Sequence, residues 1–278
     1  MNTAEFTLLV WLGSLLAGFL GALTGLGGGV VIVPLLALVF HVDIRYAIGA
    51  SLVSVIATSS GAAAAYVREG FSNIRVGMFL EIATTVGAIV GAFVAVRLPT
   101  SIIAIIFGAV LLYSAYLAYR PPAGHTGEEK TGRVAAFLRM DGTYPTPDGP
   151  KAYHVTGVPA GFGLMFIAGL LSGILGIGSG AVKVLAMDRA MRLPFKVSTT
   201  TSNFMIGVTA AASAGVYLSR GYIDPGLAMP VMIGVLLGSF VGSRVLTKAR
   251  TSSLRLVFSI VIAFLGIEMA FNGLTKRM

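Results

Sequence analysis

Eight apolar runs, each close to the length that crosses a lipid bilayer, dominate this sequence of 278 residues. A hydrocarbon core of about 30 Å takes around 20 helical residues. Phe6 to Thr24, Ala47 to Val67, Val76 to Val96 and Ile102 to Tyr119 reach that length before the middle of the chain. Gly161 to Ile177, Val197 to Leu218, Leu227 to Leu246 and Leu256 to Phe271 reach it afterwards. Charged residues make up only 11%, against about 25% in a soluble domain, too few to cover a water-facing surface. The expected fold is therefore an all-α polytopic membrane protein. Two shorter runs, Val30 to Phe40 and Ala181 to Met191, are too short to span comfortably at 1.5 Å per residue and read as half-helices or very short spans. Counting them in or out gives 8 to 10 membrane segments.

The second strong feature is self-similarity. Shifting the chain by 151 residues superposes its halves without a gap for about 100 residues. Gly25-Leu26-Gly27-Gly28-Gly29 then falls on Gly176-Ile177-Gly178-Ser179-Gly180, Ser51 on Ser202, Thr58 on Thr209, Tyr66 on Tyr217, Gly70 on Gly221, Gly87 on Gly238 and Gly91 on Gly242. Apolar residues align by chance, but glycines and tyrosines in one register over that length do not. The expected organisation is a first membrane repeat over 1–119, a linker over 120–157 where Pro, Gly and charge concentrate, and a second repeat over 158–278. Pro and Gly from Gly142 to Val155 allow a small β-hairpin, though a flexible loop is the simpler expectation.

Lys and Arg accumulate on the cytoplasmic side of membrane proteins and so report orientation. With an odd number of crossings per repeat, 13 of these residues fall on the linker's face. Five (Arg45, Arg97, Arg220, Lys276 and Arg277) fall on the other. With four crossings per repeat the split is 10 against 8. The odd count gives antiparallel repeats, both termini outside and a cytoplasmic linker, whether the short run spans or re-enters. The net charge of +9 is thereby explained by loop orientation rather than by nucleic acid. The absence of Cys removes thiol chemistry and Cys-based metal sites.

Four glycines within Gly25 to Gly29 would each cost about 1 kcal/mol relative to Ala inside a helix, so a break is favoured there. Beyond it, Val30 opens a helix whose first N–H groups lack partners and whose dipole is positive. An anion in a protein-lined cavity satisfies such donors. The second copy repeats this at Gly176 to Gly180, and paired breaks in corresponding positions of two halves point to a transporter's central site. The candidate binding groups are Gly27, Gly28, Gly29 and Val30 in the first copy, and Gly178, Ser179 and Gly180 in the second. Ser51, Ser202 and Asn203 add hydroxyl and amide donors. Lys183 lies three residues past the second break, where the first copy has Ile32. A lysine at membrane depth is paired or functional, so it either contacts substrate or neutralises Glu81 or Glu268, the two acids inside long spans. Those acids could instead carry coupling protons. Gly87-x-x-x-Gly91 and Gly238-x-x-x-Gly242 fit close helix packing.

No catalytic constellation emerges. His41, His125 and His154 have no second ligand at metal spacing, and there is no GxSxG or P-loop. The expectation is a non-enzyme without cofactor or metal.

The segment G-x-L-T-G-L-G-G-G-V-V-I-V-P-L-L at Gly21 to Leu36, the pair Ala50-Ser51, and a weaker copy at Gly169 to Lys183 with Thr201-Ser202 resemble the TauE/SafE sulfite exporter family, also called the four-toluene sulfonate uptake permeases. The resemblance covers nearly the whole chain apart from the linker. It implies a carrier in the inner membrane of a bacterium or archaeon for small sulfur-containing anions such as sulfite, sulfoacetate or other organosulfonates, with the glycine segments on the substrate path. The second copy departs from the pattern at Ser179, Lys183 and Leu185, which bears on the anion rather than the fold. The expected partners are such an anion and the lipid bilayer, with a homo-oligomer left open. Competing readings are an anion channel, and a membrane anchor or sensor acting through the central loop.

Overall fold

The structure, a computed structural model, describes residues 2–24, 28–68, 71–119, 131–146, 149–246 and 251–275. Each copy contributes four long helices and one short one. In the first these are α1 (Thr3–Thr24), the short α2 (Gly29–Pro34), α3 (Ile44–Arg68), α4 (Ile74–Arg97) and α5 (Thr100–Tyr119). In the second they are α7 (Val158–Leu175), the short α8 (Gly180–Leu185), α9 (Phe195–Ser219), α10 (Pro225–Leu246) and α11 (Thr251–Leu274). Among the described residues four helices are long and apolar enough to cross a membrane by length and composition, within α1, α4, α7 and α10.

Local chemistry sets the helix ends. The Asn73 side chain accepts the Val76 N–H at the start of α4, which closes at the extended Leu98 before Pro99, a position where proline disfavours helix. Each short helix passes into a wider π turn, over Leu35–Val39 and Ala186–Ala190. Both turns end identically. Val42 N–H donates to the Leu36 carbonyl and Leu193 N–H to that of Met187, each at 3.0 Å. His41 and Arg192, which correspond under the 151-residue shift, both adopt left-handed backbone, φ 53° and 57°. The duplication is thus written in the backbone as well as in the residues.

The copies run in opposite senses. Residues at the start of α3 meet the far end of α9, with Arg45 and Tyr46 against Tyr222, while Ser59 later in α3 meets Gly207 earlier in α9. The corresponding helices α5 and α11 are likewise antiparallel: Ser259 Oγ donates to the Ala115 carbonyl at 3.0 Å, and Gly273 lies against Ser101. Corresponding helices that cross antiparallel define an inverted repeat. The short helix returns alongside its predecessor, with Gly28 against Gly18, Leu35 against Gly13, and Phe40 edge-on to Phe6 at 5.7 Å.

The two copies are interlocked rather than merely apposed. α1 packs on α10 of the other copy, and α7 on α4. Three of the expected close-packing glycines, Gly87, Gly91 and Gly238, lie on these seams. A Cβ at Gly87 would overlap the Phe166 carbonyl, one at Gly91 that of Leu170, and one at Gly238 that of Leu15. In return, Gly169 and Gly173 of α7 receive the carbonyls of Thr84 and Ala88. Small residues let these backbones touch, which is how helices gain dispersion energy in lipid.

The linker departs from the expected loop. It contains α6 (Arg133–Phe137) and an antiparallel hairpin of β1 (Gly142–Thr146) and β2 (Gly149–Tyr153), in register from Gly142 opposite Tyr153 to Thr146 opposite Gly149. Two prolines face each other in it, Pro145 and Pro150, so the ladder is short of donors and side chains must hold it. Tyr144 packs on Tyr153 at 6.1 Å, and Tyr153, Met140, Ala135 and Val155 join a buried cluster with Val76 and Leu80 of α4 and Met187 and Met191 beside α8. Asn73 donates to the Met140 carbonyl at 2.7 Å and to Tyr153 Oη at 2.8 Å.

Candidate functional site

The two glycine breaks lie side by side. A Cβ on Gly29 would sit 2.7 Å from Ser51 Oγ and 3.4 Å from the Gly176 carbonyl oxygen. Ser51, a first-copy residue on α3, donates to that same Gly176 carbonyl at 2.8 Å. Gly178 packs against Val55 of α3 and Ile206 of α9. The second break is left-handed at three residues, Gly176 (φ 68°), Gly178 (φ 71°) and Ser179 (φ 49°). Two of these are glycine for the reason that L side chains resist this region. α7 therefore stops at Leu175 and α8 restarts at Gly180. In the first copy α1 ends at Thr24 and α2 begins at Gly29; Gly25 to Gly27, and hence the candidate Gly27, lie outside the described residues.

Gly28, Gly29, Val30, Gly178, Ser179 and Gly180 are all buried. Ser202 donates to the Gly180 carbonyl at 3.3 Å, so each of the two matched serines ties a carbonyl of the second break. Two buried hydroxyls beside the break, Ser172 Oγ and Ser179 Oγ, have no hydrogen-bond partner among the described residues. A buried polar group without a partner costs about 1–3 kcal/mol and marks a place where a guest atom would be stabilised. Asn203 is half-buried on α9 and has no hydrogen bond to either break among the described residues.

Lys183 is fully buried, the one lysine or arginine so placed among the described residues. Its Nζ donates to Thr209 Oγ1 on α9, and that hydroxyl contacts Glu81 Oε1 on α4 at 2.6 Å. Thr85 donates to the same carboxylate oxygen at 3.2 Å, while Glu81 Oε2 is buried without a partner among the described residues. Three elements from both copies thus converge on one Lys–Thr–Glu chain. Glu268 stands apart on α11, where Asn272 Nδ2 donates to its backbone carbonyl at 2.9 Å and lies 3.4 Å from its carboxylate.

Of the residues that mattered, Thr209 was visible in the sequence only as the match of Thr58, and Ser172 carried no signal. Tyr217 is another. Its hydroxyl donates to the Gly173 carbonyl at 3.1 Å, bracing the end of α7 just before the break.

Among the described residues no group of His, Cys, Asp or Glu could hold a metal ion. The curated relatives have one kind of name. The chain is 28% identical over 278 residues to "Probable membrane transporter protein YunE" of Bacillus subtilis (strain 168), covering 97% of this chain and 99% of that one. It is 26% identical to "Probable membrane transporter protein YdhB" of the same organism, over 85% and 87% of the two chains. A similarly named protein of Methanocaldococcus jannaschii is 25% identical over 91% of each. No solved structure matches the chain. The family model for "Sulfite exporter TauE/SafE" matches residues 10–269. With that match across nearly its whole length, this inverted-repeat, multi-pass membrane protein belongs to the TauE/SafE family of membrane transporters.

Proposed function

We propose that the protein is a secondary carrier that moves small sulfur-containing anions, sulfite, sulfoacetate or other organosulfonates, by alternating access. The observation that carries this reading is the meeting of the two breaks, Gly29 against Gly176, with Ser51 bridging the copies. An anion held there draws on the backbone N–H groups of Gly27 to Val30 and Gly178 to Ala181, the hydroxyls of Ser51, Ser179 and Ser202, the amide of Asn203, and the charge of Lys183. In the described state Ser51 and Ser202 donate to break carbonyls, so a guest must take over those donors. Hydrogen bonds to an ionised acceptor are roughly twice as strong as neutral ones, which favours that exchange. The repeats 1–119 and 158–278 then rock about this point, in a cell membrane with both termini outside and the linker 120–157 in the cytoplasm.

A thermal-shift panel with purified protein tests the assignment, using sulfite, sulfate, thiosulfate, sulfoacetate and simple carboxylates. A ligand at one hundred times its Kd stabilises the native state by about 2.7 kcal/mol. Stabilisation by the sulfur anions above the carboxylates supports the reading, and equal or absent shifts across the panel overturn it. Counterflow exchange in proteoliposomes, with saturation, separates a carrier from a channel.

A further inference from the structure

The Lys183–Thr209–Glu81 chain occurs at one of two repeat-related helix crossings, and the other crossing supplies its control. Under the repeat the three positions become Ile32, Thr58 and Met232. Ile32 is fully buried, and Thr58 donates to carbonyls of its own helix, those of Ser54 and Val55. The same pair of helix crossings is therefore built with an isoleucine and a methionine. Apolar residues of similar volume replace buried ion pairs with little or no loss of stability. A cation and an anion that lie about 100 residues apart in sequence, yet meet in the fold, answer to something other than packing.

Their geometry is poised rather than saturated. Thr209 is the hydrogen-bond partner of the Lys183 ammonium among the described residues, which leaves two of its three N–H groups for a guest. Lys183 stands on the short helix that the second break opens. Glu81 keeps one oxygen without a partner among the described residues, and its compensating charge reaches it through a single hydroxyl. Other charged groups on the surrounding elements are engaged elsewhere. Lys196 of α9 lies over the Phe71 ring at 3.8 Å, Arg189 is 3.8 Å from Asp188, and Arg75 donates to the Arg139 carbonyl. Arg97 ends α4 at its far terminus, Tyr217 of α9 donates to Gly173, and α5 and α7 carry no charged side chain.

We infer that Glu81 is the proton-carrying group of this carrier, loaded when a bound anion draws the Lys183 ammonium away from Thr209. The inference rests on the transport reading above. With the ammonium turned toward the guest, the Glu81 carboxylate is a buried charge without compensation, which favours its neutral form. It takes one proton from solvent onto its free oxygen and becomes a neutral acid; release of the anion returns the ammonium and expels the proton. One proton thus accompanies each anion. Thr209 is a positioning residue in this scheme, since its hydroxyl transmits the ammonium's charge and touches no substrate.

Two measurements on the full-length protein in detergent test it. The first uses methanesulfonate, a strong-acid anion that carries no proton of its own. Wild type should take up close to one proton per anion bound in weakly buffered solution, with affinity rising up to tenfold per pH unit of acidification, as linkage of one proton requires. Glu81→Gln and Thr209→Val should bind without proton uptake, and Thr209→Ser should restore it. Binding by wild type with no proton uptake, or uptake retained in Glu81→Gln, overturns the inference. The second measurement needs no anion. The infrared C=O band of a protonated carboxylic acid should appear at neutral pH in Lys183→Met, and be absent from wild type and from the Lys183→Met/Glu81→Gln double variant. Its absence from Lys183→Met overturns the inference whatever the anion results. If the band appears but no sulfonate binds wild type, the anion site fails and the linkage fails with it, while Glu81 still stands as the titrating acid.

Discussion

The two copies of the repeat share a scaffold and differ in chemistry, and the difference separates what builds the path from what works it. Both have a short helix ending in a π turn, a left-handed residue after it (His41 and Arg192) and a serine at the same place on the following helix (Ser51 and Ser202). Where the crossing at the first short helix has Ile32, Gly28 and Met232, the corresponding crossing at the second short helix has Lys183, Ser179 and Glu81. Shared features fix backbone geometry. Unshared ones introduce charge and buried hydroxyls, which cost stability and are kept only where they act.

The largest expected effect comes from breaking the charged pair on one side. Lys183→Ile alone, or Glu81→Met alone, should destabilise the protein by about 3–5 kcal/mol, since each leaves its partner buried and unpaired. The double variant, which gives this crossing the residues of its repeat-related counterpart, should recover to within about 1 kcal/mol of wild type in thermal unfolding while losing transport. A double variant as unstable as the singles would show that the pair is structural.

Backbone conformation makes the next comparison. Gly178→Ala places a Cβ in left-handed backbone and 2.6 Å from Ile206 Cγ2, so strain and overpacking together should cost about 2–4 kcal/mol. Gly29→Ala meets Ser51 Oγ at 2.7 Å without a left-handed φ, and about 1–3 kcal/mol is expected from overpacking alone. Unfolding midpoints measured side by side should rank Gly178→Ala below Gly29→Ala. The serines should rank likewise. Ser51→Ala loses a 2.8 Å bond between copies and Ser202→Ala a 3.3 Å bond within one, so about 1–2 kcal/mol is expected for the first and under about 1 for the second.

The smallest effect lies in the linker. Burial pushes the Asp141 carboxyl up, but hydrogen bonds from Thr131, His154 and the Val155 N–H outweigh it and hold the carboxyl below its ordinary value. A depressed carboxyl stabilises the folded form above its unfolded value of about 3.9, and that contribution disappears as pH falls through the folded value. Proteolysis of the linker should therefore accelerate as the pH falls below about 4. Asp141→Asn should show the faster cleavage at neutral pH as well.

Much of this was legible in the sequence because glycine and periodicity speak locally. The breaks, the two short helices and the small-residue seams each follow from residues within a few positions of one another, and the matching register of Gly87 with Gly238 exposed the duplication. The Lys183 partner was not legible. Glu81 and Glu268 are equally plausible acids by composition, and only the packing of α4 on α9 brings Thr209 between one of them and the lysine. The hairpin is hard to read from the sequence for the same reason, since Pro145 and Pro150 weaken it locally while Tyr153 and Asn73 hold it from outside. The π turns have no residue signature here and show only in the backbone.

The exchange of partners between α1 and α10 has a consequence for how the protein is made. The ribosome finishes α1 roughly 200 residues before it reaches α10, which at about 5–20 residues per second is on the order of 10–40 seconds. Throughout that interval the seam of small residues on α1, from Ser14 to Gly18, faces lipid or the insertion machinery, because the helix that will cover it does not yet exist. Birth of the second half is thus the step that closes the first.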